Sequence, residues 1–538
     1  MRLPTVLSQH RPHREIFAFA FLLSFGLLLS ASKLTAGTPG AGSDSETVVI
    51  VDGRALPRQQ FERQFDRALS QYSARMQSLG NEVGIQRVWA LRLDAFEQTV
   101  VTDLLLREAE RLGITVSETE IQEQATALAD EELAGIKTQA HTSGADIETV
   151  LGALVGRAEG RAPQPMTEGD FRAWLKNRVL MDSESLREEL VVAKLRDMTT
   201  KDVTATEADL LASYDRATVR QILVAFRPDG KPERTEEQAK QRADRLYEQV
   251  KGGADFTELA RAESDDRETA SMGGSRYEPL RRGIFALDLD AVIFSLAPGQ
   301  ISTPLKDERG YWIFRMESIT REMPQGYETQ KEQLLRDFVS GRRALAWMEY
   351  EKRLRARAAV SVLDPEIRAY QALRAGKGDE TLSLLQVAVE RAPTLRPIAR
   401  ASIFYQLAVS MSARDRWQEA AAAYAACDDA ITLGQDIARI SRVQVLLGRG
   451  RAQQHLGNKA QAIEFYDLAS SLTDIASVHE DLIHVYEQIG AVDQVGRERQ
   501  WLQAYREALI AKERAAAAEE RAASRRAKTL LPRPEKND

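Results

Sequence analysis

VRQILVAF (Val219 to Phe226), DFTELARAESDD (Asp255 to Asp266), SMGG (Ser271 to Gly274) and FSLAPGQISTPLKDERGYWIFRM (Phe294 to Met316) follow one another in this 538-residue chain. The runs 219 to 226, 301 to 305 and 311 to 318 are short and apolar and read as strands, while the stretches between them have helical period. The segment 216 to 322 is therefore expected to fold as a small antiparallel sheet flanked by helices.

A chain of this length exceeds the ~250 to 300 residues at which single cores stop growing, so several domains are expected. With 43% hydrophobic and 28% charged residues the composition is that of globular domains. A net charge of −7 leaves no broad basic field to neutralise phosphates, which argues against a nucleic-acid partner. The single cysteine, Cys427, cannot form an internal disulfide and lies too late to carry a lipid anchor; it falls where a small helix-packing residue belongs, and a buried, inert thiol is expected.

Residues 16 to 31, IFAFAFLLSFGLLLSA, form an apolar run preceded by Arg11 and Arg14. That is the layout of a secretory signal, and the run is shorter than the ~20 residues of a membrane span. Residues 1–34 are read as a signal peptide, cleaved near Ser32, or as an uncleaved anchor holding the chain at the inner membrane. Either places the remainder outside the cytoplasm. Residues 35–46 read as a Gly/Thr/Ser-rich linker.

TVVIVDGRALPRQQFERQFDRAL (Thr47 to Leu69) gives a β-branched strand, an Asp52-Gly53 turn, and a helix with Phe61, Phe65 and Leu69 every four residues. In LLLREAERLGITVSETEIQEQA (Leu104 to Ala125), Gly113 ends one helix and Ser117 caps the next with Glu120 as a capping box. Amphipathic helix continues over Thr167 to Leu195, and Tyr327 to Val362 reads as one long helix. From Asp364 the chain turns to alanine-rich helical units. Each has a Gly or Asp at its turn (Gly376, Asp415, Gly457, Gly490) and a small or apolar residue five places later (Thr381, Ala420, Ala462, Val495). Leu385, Tyr424 and Tyr466 follow four residues further on as packing knobs. The fourth unit has Arg499 there, which suits a solvent-facing cap. The tail 511–538 mixes both charge signs and reads as a solvated tail rather than a binding arm, extending the last helix and fraying at Pro532.

The ordered blocks between Val219 and Ser318 resemble parvulin-type peptidyl-prolyl isomerases. The strand–turn–helix at Thr47 resembles the N-terminal domain of the SurA and PrsA class of extracytoplasmic foldases, and the C-terminal units resemble tetratricopeptide repeats, at irregular spacing around ~34 residues. The resemblance implies a helical chaperone domain over 47–215 and an inserted parvulin-like domain over 216–322. A long helix over 323–362 would pack back on the chaperone helices, followed by a helical solenoid over 363–510; the fold class is α+β. It implies, too, a polar cluster at Gln221, Asp266 and Trp312, and an apolar proline socket at Phe285, Leu289 and Phe294. Parvulins carry histidines where this chain has Gln221 and Trp312. The six histidines, His10, His13, His141, His455, His479 and His484, all lie outside the domain.

Prolyl isomerisation needs no nucleophile, metal or cofactor, because a catalyst only has to hold the twisted imide in a dry pocket against a barrier of ~20 kcal/mol. No cofactor is expected. HEDLIH (His479 to His484) spaces its histidines five apart, about 140° around a helix, so a metal site is not expected and both are placed on the repeat surface. Three functions stay open. The first is a periplasmic or otherwise extracytoplasmic chaperone for unfolded or nascent exported polypeptides, with isomerase action weak or lost and a protein partner on the repeats. The second is an active isomerase, and the third a repeat scaffold with a silent parvulin domain.

Because Arg11 and Arg14 hold the N-terminus inside, reporter fusions after Asp44 should be active only outside the cytoplasm. Cytoplasmic activity of such a fusion refutes export.

Overall fold

The computed structural model describes residues 46–78, 84–230, 232–285, 287–433 and 439–530. The segment 16 to 31, the linker up to residue 45 and Pro532 lie outside them. Among the described residues no helix is long and apolar enough to cross a membrane. The chain divides into two compact units, one made of residues through Leu195 together with those from Glu351 onward, the other spanning Arg196–Tyr350.

In the first unit, strands Thr47–Val51 (β1) and Arg54–Pro57 (β2) form a hairpin, closed by Asp52 and Gly53 in left-handed backbone at φ 48° and 82°. The free edge of β1 takes Val360–Val362 (β7) in antiparallel register, Val49 opposite Val362, so the sheet order is β2-β1-β7. The chain thus leaves this unit, builds the other, and returns to its first strand. Helices Arg58–Ser78 (α1), Ile85–Arg111 (α2), Glu118–Ser143 (α3), Ile147–Glu159 (α4), Glu168–Leu180 (α5) and Ser183–Thr200 (α6) follow the hairpin. The expected capping box opens α3: the Glu120 N–H donates to Ser117 Oγ at 3.3 Å, and the Ser117 N–H to Glu120 Oε2 at 2.8 Å.

Beyond β7 come four helical hairpins among the described residues: Pro365–Arg374 (α13) with Gly378–Arg391 (α14), Pro397–Ser412 (α15) with Trp417–Leu433 (α16), Arg439–His455 (α17) with Lys459–Ser471 (α18), and Ala476–Ile489 (α19) with Val492–Leu530 (α20). Gly376, Asp415, Gly457 and Gly490 all take left-handed backbone at the turns, φ 56° to 81°. Thr381, Ala420, Ala462 and Val495 are buried, as are Leu385, Tyr424 and Tyr466. The two tyrosine rings lie where glycines leave room for them: a Cβ at Gly448 or Gly450 would come within 2.5 or 2.4 Å of Tyr424 or Tyr466. Arg499 faces solvent and pairs with Glu487 at 2.7 Å.

Helix α2 packs on α13, α15 and α17, the first helices of three successive hairpins. Its Val88, Leu91, Phe96 and Val100 share one core with Ile367, Tyr370, Ile398 and Val445. Ion pairs run through this core. Arg92, fully buried, donates to Glu366 of α13 and to both carboxylate oxygens of Glu62 of α1 at 3.1 and 2.9 Å, and Arg58 meets Asp364. Burial alone would discharge Arg92, but the carboxylates of Glu366 and Glu62 outweigh it and hold its pKa well above the ordinary value. Burial likewise disfavours a charged Glu62, yet the charge and hydrogen bonds of Arg92 keep its carboxyl below its usual range.

The second unit pairs Asp215–Ala225 (β3) with Gly310–Arg321 (β6) and adds Leu280–Arg281 (β4) and Leu305–Lys306 (β5), in antiparallel order β4-β3-β6-β5. Around it lie Glu207–Ser213 (α7), Glu236–Lys251 (α8), Phe256–Glu263 (α9), Arg267–Ala270 (α10) and Leu287–Ile293 (α11). The strand expected over 301 to 305 is a single bridge at Ile301 and the two residues of β5. Pro304 between them has no N–H to give a ladder. The single helix expected over Tyr327 to Val362 ends at Arg357 (α12, Tyr327–Arg357), because Val360–Val362 is drawn into the sheet beside β1; Leu345 and Met348 are exposed, and in the first unit Arg355 meets Glu97 of α2 at 3.1 Å.

Cys427 is buried, its thiol donating to the Ala401 carbonyl at 3.2 Å, and burial pushes its pKa up. His479 departs from expectation. It is 1% exposed, with Nδ1 2.5 Å from Glu498, Nε2 3.2 Å from the Thr473 carbonyl and its ring on Trp501. The five-residue spacing that separates the two histidines turns His479 inward and leaves His484 78% exposed.

Glu366→Ala would leave Arg92 short of a buried counter-charge and should cost about 3–5 kcal/mol of unfolding free energy in the first unit. Lys137→Ala, in an exposed pair with Glu168, should cost under about 1 kcal/mol in the same denaturant titration.

Candidate functional site in the four-stranded sheet

Alternation along β3 and β6 sends side chains to two faces. Ile222, Val224 and Ile313 pack under α8 and α9 with Ala243 and Phe256. The opposite face carries Val219, Leu223, Trp312 and Phe314, covered by Leu289, Ile293 and Phe294. Gln221, between Val219 and Leu223 and paired in register with Phe314, falls on this second face and is fully buried. A buried primary amide must find partners.

It finds them in the segment after α9. Ser264 Oγ accepts the Leu223 N–H at 3.1 Å, and Asp265 accepts the Ala225 N–H at 3.1 Å and an Arg234 N–H at 2.5 Å, so this segment is clamped along β3. The clamp delivers Asp266, whose Oδ2 accepts from Gln221 Nε2 at 2.6 Å and from Thr269 Oγ1 at 2.8 Å. On the other side of the amide, Arg276 Nη1 donates to Gln221 Oε1 at 3.4 Å. The loop comes this close because Gly274, at φ 80°, lies against the strand: the Gln221 N–H donates to its carbonyl at 2.8 Å, and a Cβ there would fall 2.6 Å from the Gln221 carbonyl oxygen.

Gln221 and Asp266 are therefore brought together; Trp312 is placed elsewhere on the same face. Its indole N–H donates to Asp307 at 2.7 Å, and its ring stacks on Phe314 at 5.8 Å and meets Phe285 edge-on at 5.4 Å. Phe285 is half-buried, while Leu289 and Phe294 are 3% and 9% exposed. The aromatic group is close-packed on itself, and the polar cluster is satisfied within itself. Such a cluster offers fixed dipoles to a bound carbonyl, and neither Gln221 nor Trp312 can carry a proton between groups.

Thr269, Ser264 and Asp307 are site residues that the sequence reading does not name, while Arg276 lies in the loop 273–278, where the chain departs from the parvulin pattern. Asp266 and Thr269 have the first-to-fourth spacing of a helix start, and Asp307-Glu308-Arg309-Gly310 is a turn sequence whose Asp caps the Arg309 and Gly310 N–H groups.

A small antiparallel sheet with helices on both faces and a polar pair at its centre, set within a mostly helical chain, is the architecture of a parvulin-type domain. A family model for the PPIC-type PPIASE domain matches residues 222–318, and one for the SurA-like N-terminal domain matches residues 7–130. The chain carries both domains. Among curated relatives it is 34% identical over 144 residues to the foldase protein PrsA of Caldanaerobacter subterraneus, covering 26% of this chain and 42% of that one. It is 25% identical over 301 residues to the chaperone SurA of Chromohalobacter salexigens, covering 56% and 62%. The chain thus spans less than two thirds of either relative. A solved PrsA from Bacillus anthracis is similar at 18% identity with a TM-score of 0.25, over 48% of this chain and 94% of that one.

Gly274→Ala should loosen the 271–276 loop from β3 and destabilise the second unit by about 1–3 kcal/mol, since both its positive φ and its close approach are lost. An unchanged unfolding midpoint would contradict the close approach.

Proposed function

We propose that this chain is an exported foldase that holds unfolded segments of exported proteins, with prolyl isomerase action weak or lost. The observation that carries this reading is the state of the polar cluster: Gln221 and Asp266 bond to each other, and the indole N–H of Trp312 is taken by Asp307. With no imidazole in the domain, stabilisation of a twisted imide rests on Asp266 and the aromatic wall. Losing positioned polar groups commonly costs ~10²-fold or more per group in enzymes. The names of the curated relatives, a foldase and a chaperone, support capture of unfolded polypeptide. The apolar run at 16 to 31 supports export, with membrane anchoring if it stays attached.

A protein partner on the helical hairpins belongs to the same proposal. Since α2 lies on the first three hairpins, the surface for it is the groove of about 600 Å³ on α19 and α20, lined by Ile483, Leu502 and Ile510. An active isomerase is the second reading, favoured by the 2.6 Å contact that holds the Asp266 carboxylate to Gln221 on the sheet face that also carries the aromatic group.

The full chain should be slow in a proline-tetrapeptide isomerisation assay, and Gln221→His with Trp312→His should raise the rate. Suppression of client aggregation should survive Asp266→Ala. Robust wild-type catalysis that collapses in Asp266→Ala would favour the enzyme instead.

A further inference from the structure

The helical hairpins end unevenly. The second helices of the first three, α14, α16 and α18, hold 14, 17 and 13 residues, and each packs against the first helix of the next hairpin. The second helix of the last, α20, holds 39 residues against 14 in α19, so more than half of it extends past its own hairpin. Toward α18 the last hairpin is already engaged: Ser470 donates to Glu498 at 2.7 Å, and Tyr486 and Arg497 donate to Asp467 at 2.7 and 3.0 Å. The groove on α19 and α20 is lined by none of these residues. From Gln503 to Ala515 every residue is exposed, among them Tyr505, Leu509 and Ile510 at 39%, 46% and 47%. A lone helix in water is marginal, because most helical stability in proteins comes from packing an apolar face.

The stripe that lacks a cover runs through Arg499, Leu502, Arg506, Ile510 and Glu513, at the three- and four-residue steps of one helical face. Its order of charge and apolar residue is self-complementary. We propose that the occupant of the groove is a second copy of this chain, with the two α20 helices antiparallel and the overhang of each laid in the groove of the other. A two-fold axis beside Arg506 then sets Leu502 opposite Ile510 of the second copy and Arg499 opposite its Glu513, and the reverse, as an isologous contact requires. Arg506 falls next to Glu507 of the second copy. Successive helices joined by short turns run antiparallel, so the overhang takes the place and direction that the first helix of a fifth hairpin would have. Arg499 stands where Leu385, Tyr424 and Tyr466 are buried knobs, and a charge at that position suits an arriving carboxylate rather than an apolar helix. Its pair with Glu487 and that of Arg506 with Glu480 are both exposed, and such pairs hold too weakly to forbid a second carboxylate. This occupant rests on the reading that the hairpins carry a protein partner, and gives that partner an identity.

The test is sedimentation of the full chain in mild detergent, which keeps the apolar run at 16 to 31 from associating. A concentration-dependent equilibrium between monomer and dimer is expected. Ile510→Asp should weaken the dimer about tenfold or more by placing a carboxylate in the apolar contact. Arg499→Glu should weaken it too, and adding Glu513→Arg should restore it. Leu468→Asp, at an exposed apolar position of α18 outside the groove, should leave it unchanged. Unfolding midpoints confirm that the variants fold. A chain that stays monomeric, or a dimer indifferent to Ile510→Asp and to the charge exchange, overturns the second copy. A monomer whose suppression of client aggregation falls in Ile510→Asp loses only the second copy and keeps the groove as a partner surface. A monomer in which Ile510→Asp leaves that suppression unchanged loses both.

Discussion

Arg92 sets the terms for the first unit. A guanidinium with no exposure to water is tolerated only when carboxylates meet it with good geometry, because the uncompensated penalty is several kcal/mol per ion. Its two partners come from Glu62, 30 positions away, and Glu366, 274 positions away, on opposite sides of the inserted unit. Neither the N-terminal helices nor the hairpins can close this core alone. The pairing of β1 with β7 imposes the same closure on the backbone, and Arg58 with Asp364 repeats it one helical turn from Glu62. The helical hairpins are thereby part of the body that holds α1 and α2.

How far the chain could be read in advance follows from how local each signal is. The turn residues of the four hairpins and the small residues behind them were legible because a left-handed turn and a tight helix crossing are each decided within a few positions. The capping box at Ser117 is local in the same sense. Helix α2 is not legible as the element lying on the hairpins, because the residues that cover its apolar positions lie hundreds of residues away in the chain. His479 was misplaced because its partner Glu498 belongs to the following helix, beyond any motif centred on HEDLIH. At the site, residue type and order located Gln221 and Asp266, since strand and loop are joined by backbone clamps. Arg276 lies in the loop that follows the SMGG block, and its contact with the Gln221 amide exists only once the fold lays that loop against β3.

On the parvulin resemblance, Gln221 and Trp312 stand where the family has histidines, and the exchange carries a physical consequence beyond the imidazoles. Gln221 brings donors and an acceptor at once, and the structure uses both kinds, tying Asp266 and Thr269 on one side and Arg276 on the other. An amide in that position fixes its neighbours; an imidazole would leave the proton distribution among them adjustable. Trp312 acts in the same direction by volume. Stacked on Phe314, crossed by Phe285 and anchored at Asp307, it converts part of the face into core. Under the foldase reading, fixed polar groups and packed rings leave little freedom for moving a proton. They are sound equipment for holding a chain by its side chains, since binding needs complementary charge and apolar area already in place. Under the foldase reading, the residues that restrict proton movement thus also hold a surface in place for capture.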